Sequence, residues 1–105
     1  MRAMTVMAAL DEFEQRVRRS AAREVLAAHD RLQVVYDQAP EFNEHGQPRD
    51  RAEWDRWYSL AYLPAHNEWV AWMGELAYLL DTEFPGWNPV DFRPMCERIL
   101  AGEQP

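Results

Sequence analysis

The chain has 105 residues, 18 Asp and Glu against 11 Arg and no Lys, and a formal net charge of −7. That is one domain's worth of sequence; an apolar fraction of 48% and five Trp exclude wholesale disorder, and the acidity excludes general binding to nucleic acid or to an anionic membrane. A single cysteine, Cys96, excludes an intrachain disulfide and a Cys-based zinc cluster.

From Thr5 the apolar residues fall at 6, 10, 13, 17, 21, 25, 28, 32 and 35. Steps of three and four predict one amphipathic helix over about 5–38. At ~1.5 Å per residue it is a rod of about 50 Å, long enough to need a partner helix of similar length. Its first ten residues flow straight into Asp11-Glu12-Phe13-Glu14 without a small-residue cleavage site, and read as helix rather than as a secretory signal. Glu12 with Arg16, and Glu14 with Arg18, are spaced as i,i+4 ion pairs.

Residues 39–49 carry two prolines and a glycine and read as a loop. Asp50, three before Glu53, resembles a capping box and opens a helical region over 50–81. Pro64 lies in its middle and would clash with the carbonyl of Leu60, which predicts a kink or a tight break. The region repeats itself: Glu53-Trp54-x-x-Trp57 precedes Leu60-Ala61-Tyr62-Leu63, and Glu68-Trp69-x-x-Trp72 precedes Leu76-Ala77-Tyr78-Leu79, with one extra residue in the second copy. Trp69 to Leu80 is apolar nearly all round, which predicts burial on several sides or at an oligomer interface.

Residues 82–90 read as a turn-rich loop. Asp91 is the expected cap of a last helix over 92–101, with Pro94 in its first turn and Gly102 as its stop. No segment alternates like a strand. The class is all-α: a small bundle with a long N-terminal helix antiparallel to a Pro-kinked second region, closed by a short C-terminal helix.

The usual chemical signatures are missing. None of His29, His45 and His66 has a Glu three residues earlier, and no His-Glu-x-x-His occurs, so no metal or other cofactor is expected. Four glycines make neither a P-loop nor a dinucleotide fingerprint, and no Gly-x-Ser-x-Gly elbow is present. Cys96, beside Met95 and Ile99, reads as a small buried hydrophobe. Glu68 and Glu75 are the carboxylates in the most apolar surroundings.

Length, acidity and the triplet Trp72-Met73-Gly74 resemble WXG100-type secreted proteins. In that family the triplet forms the turn between two helices. Here it falls inside a helical stretch, and no family membership follows.

Two features remain as candidate binding surfaces. The first is the aromatic set Trp54, Trp57, Tyr58, Tyr62, His66, Trp69, Trp72 and Tyr78, read as core, interface or pocket lining. The second is a basic face of Arg16, Arg19 and Arg23 suited to an acidic partner. The resulting expectation is a cytoplasmic, non-enzymatic helical protein that binds a partner protein as adaptor, inhibitor or assembly factor and self-associates as a dimer, with no direct contact to nucleic acid or membrane. Two alternatives stand beside it: a Trp/Tyr-lined pocket for a small apolar ligand or substrate, and an acidic nucleic-acid mimic.

Overall fold

A computed structural model describes residues 2–82 and 88–102, without the side chains of 2–5. The architecture is all-α. The elements are α1 (Arg2–Asp37), α2 (Arg51–Trp57), a π-helical turn (Tyr58–Tyr62), α3 (Leu63–Leu79) and α4 (Pro89–Leu100). The molecule measures 70 × 23 × 20 Å, its long axis set by α1.

No Gly or Pro interrupts α1 over its 36 residues. Its stripe supplies Ala21, Ala22, Val25, Ala28 and Leu32 to the core. The three alanines let the other helices approach closely. Trp69, Met73 and Leu76 of α3, with Phe92, Met95, Cys96 and Ile99 of α4, complete that core. The register of α3 on α1 is antiparallel: Glu68 pairs with Arg31, Trp69 packs on His29, and Leu79 lines one surface cavity with Phe13 and Val17. A three-helix core leaves one side of α3 open, so Ala71, Gly74, Glu75 and Tyr78 are exposed and the expected burial on several sides is not found.

The loop over 39–49 is tightly folded. Phe42 and Pro48 form an isolated antiparallel bridge. The Asn43 side chain accepts from the backbone N–H groups of His45 and Gln47. Gly46 supplies the positive φ of 76° that closes the turn. Asp50 then caps α2, accepting from the N–H groups of Ala52 and Glu53.

Pro64 produces neither a loop nor a break. Trp57 and Leu63, on either side of the π-helical turn, both have right-handed helical angles, and Pro64 enters the first turn of α3. The Leu63 N–H reaches back five residues to the Tyr58 carbonyl, so the turn is one residue wider than an α-turn. A wider turn absorbs the backbone disruption that a proline imposes.

The last helix begins earlier than Asp91. Asn88 is its cap, accepting from the Val90 N–H, and Pro89 holds the first position. Asp91 instead contributes charge to the first turn, and Pro94 sits inside the helix rather than in that turn. The carbonyl that Pro94 cannot satisfy belongs to Val90, a residue that is 76% exposed. Gly102, at φ 85°, ends the helix as expected. Residues 83–87 of the expected 82–90 loop lie outside the described residues.

Candidate functional site

Five rings converge where the C-terminal end of α1 meets α2 and the π-turn. Tyr36, Trp54, Trp57, Tyr58 and Tyr62 line a surface cavity of about 200 Å³. The position of each follows from the local fold. The Asn43–Gly46 turn folds the loop back so that Phe42 packs on Trp54 with its ring tilted by 51° and ring centres 4.9 Å apart. Trp54 and Trp57 share one face of α2 at three residues' separation, 5.0 Å apart. The π-turn brings Tyr62, five residues on, back over Trp57 at 5.6 Å. An ordinary α-turn would carry a fifth residue about 140° away. Tyr58 stacks on Tyr62 at 5.2 Å, and Tyr36 meets Tyr62 at 5.5 Å.

One polar contact fixes this arrangement. The Trp57 Nε1–H donates to the Val35 carbonyl at 3.1 Å, tying α2 to α1. The neighbouring Tyr36 hydroxyl and, less strongly, partial burial raise the Tyr62 phenol above its usual value.

The rings continue inward. Tyr62 stacks on His66 at 5.5 Å, His66 meets Trp69 edge-on at 6.0 Å, and Trp69 contacts both His29 and Phe92. Six of the eight aromatic-set residues picked from sequence therefore lie on one path, from Trp54 at the surface to Trp69, which is 6% exposed. The two uses differ: Trp69 is core, whereas Trp54, Trp57, Tyr58, Tyr62 and His66 are surface or half-buried.

Trp72 and Tyr78 stand apart from this site. Trp72 is half-buried against the core and lines a separate cavity with Ala71 and Glu75. Tyr78 is 81% exposed. The extra residue in the second repeat explains the difference. Tyr78 follows Trp72 by six residues, about a third of a turn out of phase, whereas the π-turn superposes Tyr62 on Trp57. Tyr36 and Phe42 were not singled out from sequence because they come from other segments; the only prior sign was an aromatic at the end of the first helix, off its apolar stripe.

Arg16, Arg19 and Arg23 share the face of α1 opposite the core stripe, as their spacing of three and four requires. Among the described residues no carboxylate lies within 4.0 Å of any of them, and neither Glu12–Arg16 nor Glu14–Arg18 closes. Exposed pairs of this kind return little for the side-chain order they need. From Arg23 to Tyr36 is 13 residues, or about 20 Å along the helix. The basic face and the aromatic site are separate surfaces.

A third cluster was not singled out from sequence. His29, 6% exposed, accepts at Nδ1 from Arg93 Nη1 at 2.9 Å, and the same guanidinium nitrogen reaches Asp30 at 3.0 Å. The bond to Nδ1 requires a neutral ring with its hydrogen on Nε2, beside the Gln33 amide. Burial lowers the His29 pKa and Arg93 lowers it further, while Asp30 opposes both. This cluster is the polar tie between α1 and α4.

Among the described residues no group of three His, Cys, Asp or Glu could hold a metal ion. Glu68 is paired with Arg31 at the surface. Glu75 is exposed. Burial pushes the Cys96 thiol up to about 11, against the opposing effect of Arg93, so it is a thiol at neutral pH. The Trp72-Met73-Gly74 triplet lies inside α3. Among the described residues no helix is long and apolar enough to cross a membrane.

The class this fold and site define is a small all-α bundle that carries a pre-ordered aromatic face at one end. No family model, curated protein or solved structure matches this chain.

Proposed function

We propose that this chain is a non-enzymatic interaction protein that binds a partner protein through the aromatic face formed by Tyr36, Trp54, Trp57, Tyr58 and Tyr62. The observation that carries the reading is the pre-ordering of exposed rings. Trp57 is locked to the Val35 carbonyl and Tyr62 is held by four ring neighbours, yet Tyr58 remains exposed and Trp54 and Trp57 only half-buried. Trp and Tyr held rigid at a surface lose little conformational freedom on binding, which is why they dominate protein-binding hot spots.

Cavity size favours a partner's side chains over a free small ligand. Pockets for small molecules run to about 300–1,000 Å³. About 200 Å³ accepts one or two side chains. Rings interleaved with Tyr hydroxyls suit an extended, proline-containing segment, whose backbone needs no partner strand. The acidic net charge of −7 adds attraction for segments that also carry Lys or Arg.

The test is selection of peptides from a displayed random library against the intact chain, followed by titration of the winners monitored by Trp fluorescence. The expected winners are extended, proline-containing peptides whose affinity falls at least tenfold with Trp54→Ala. Winners that bind Trp54→Ala as well as they bind the parent chain would overturn the proposal, as would tight uptake of a free apolar compound in the same cavity.

A further inference from the structure

The cavity at the aromatic face is lined by rings alone. Tyr36, Trp54, Trp57, Tyr58 and Tyr62 border it, and among the described residues no aliphatic, amide or charged side chain joins them. The rings are inclined to one another rather than coplanar: Trp54 and Trp57 by 45°, Trp57 and Tyr62 by 31°, Tyr36 and Tyr62 by 59°. An aromatic ring carries partial negative charge on its face, so several rings about one small space hold a cation better than a neutral group of the same shape. The lining is also in place beforehand, because Trp57 is tied to the Val35 carbonyl.

The surrounding charge favours a cation as well. Over 36–62 six carboxylates stand against three Arg. Arg49 is paired with Glu41 and Arg51 with Asp55. Asp37, Glu44, Asp50 and Glu53 then remain against Arg56. Asp37 follows Tyr36 and Glu53 precedes Trp54, so two of these carboxylates flank the lining along the chain. They draw in positive charge from a distance, but none of them borders the cavity. That distinction selects the kind of cation. A guanidinium brings five N–H donors and a lysine ammonium three, and a donor buried without an acceptor is unfavourable. Tyr hydroxyls are the only acceptors that the lining side chains offer. An ammonium carrying three methyl groups keeps its charge, has no N–H to satisfy and meets the rings through its methyl groups.

We propose that this cavity is an aromatic cage for a trimethylated lysine of the partner segment, held by cation–π attraction. The proposal rests on the reading of the aromatic face as a partner-binding surface, and it names the group that the cavity takes. One such head group occupies a cavity of about 200 Å³. The exposed part of Tyr58 is left for the residues on either side of the lysine.

Two probes of one shape separate charge from bulk. Choline carries a trimethylammonium group; 3,3-dimethylbutanol has the same outline with carbon in place of nitrogen and no charge. Both are titrated into the full chain and followed by the Trp54 and Trp57 indole N–H signals. Choline should bind about tenfold more tightly or better. A proline-flanked peptide with trimethyllysine should exceed, by the same margin, the peptides with plain lysine or with the neutral tert-butyl side chain. Trp54→Leu and Tyr58→Leu keep apolar bulk and each remove a ring; each should cut the preference for charge severalfold. Tyr58 is exposed, so its variant should keep the helical circular dichroism and melt of the parent. Equal affinity for choline and its neutral analogue, or for the three peptides, would overturn the cage while library-selected peptides still bind the aromatic face. Failure of those peptides to bind at all would remove the reading on which the cage rests. Trp54-dependent binding to phosphatidylcholine vesicles, with no gain from the trimethyllysine peptide over choline, would assign the cage to a lipid head group and overturn the lysine.

Discussion

Replacing Trp57 in two steps separates the two things it does. Trp57→Phe keeps a ring between Trp54 and Tyr62 but deletes the indole N–H that donates to Val35. A neutral hydrogen bond contributes about 0.5–1.5 kcal/mol, and leaving its acceptor bare costs more. The Val35 carbonyl is not left bare, because it also accepts from the Gln38 N–H at 3.1 Å. The Phe variant should therefore lose only about 0.5–1 kcal/mol of stability. Trp57→Ala loses the same bond and also two ring contacts, each stabilising by about 0.5–1.5 kcal/mol beyond burial. Full burial would put Trp→Ala at about 3–5 kcal/mol; a half-buried ring brings the expected total to about 2–3 kcal/mol. Urea unfolding followed by circular dichroism reads both values. For a domain near this size each kcal/mol moves the melting temperature by about 4–8 °C, so thermal melts resolve the gap as well. Equal losses for Phe and Ala would mean that ring stacking does not order the face. Losses under about 0.5 kcal/mol for both would mean that Trp57 does not tie α2 to α1.

Three further outcomes follow from other parts of the molecule. The folded-state pKa of His29 lies below the unfolded value, so the unfolded chain binds the extra proton first. Its contribution is fully present above about pH 6.5 and is lost as pH falls from there through the folded-state value. Unfolding free energies across that range should show a loss that His29→Phe removes, and an unchanged profile in that variant would contradict the assignment. At the end of α3, Asp81 adopts φ 51°, with Thr82 N–H bonded back to the Ala77 carbonyl, a left-handed stop occupied by a non-glycine residue. Asp81→Gly should raise stability by about 0.5–1 kcal/mol, and a loss on denaturant titration would contradict the geometry. Cys96, fully buried with its thiol pushed up to about 11, should react with a maleimide only as fast as the core opens, so denaturant should accelerate labelling steeply. Rapid labelling of the folded chain would place the thiol elsewhere.

Local signals account for what the sequence reveals of this fold. The unbroken stripe of α1, the Asp50 cap and the Gly102 stop each depend on a few neighbouring residues, and each is where periodicity and capping chemistry put it. The start of α4 is misplaced because two acceptable caps stand three residues apart. Asn88 prevails over Asp91 because Pro89 behind it has the fixed φ of a first helical position and no N–H to satisfy. The π-turn is invisible to a reading that assumes 3.6 residues per turn throughout, although Pro64 marks the place where that assumption fails. The same widening decides the candidate site. It draws Tyr62 over Trp57, while the matching residue of the second repeat, Tyr78, swings out to solvent. Counting residues within the repeat would have separated Trp72 and Tyr78 from the rest. Tyr36 and Phe42 join through the antiparallel register of α1 and the turn at Gly46, which no local pattern encodes.

The central claim is that the aromatic face binds a partner segment, and the five Trp indole N–H resonances offer the most direct test. In a ¹H–¹⁵N spectrum titrated with a library-selected proline-containing peptide, the Trp54 and Trp57 signals should move together in a saturable way. The Trp69 signal, from the buried end of the ring path, should move far less. A saturable titration in which Trp54 and Trp57 stay fixed would contradict the account.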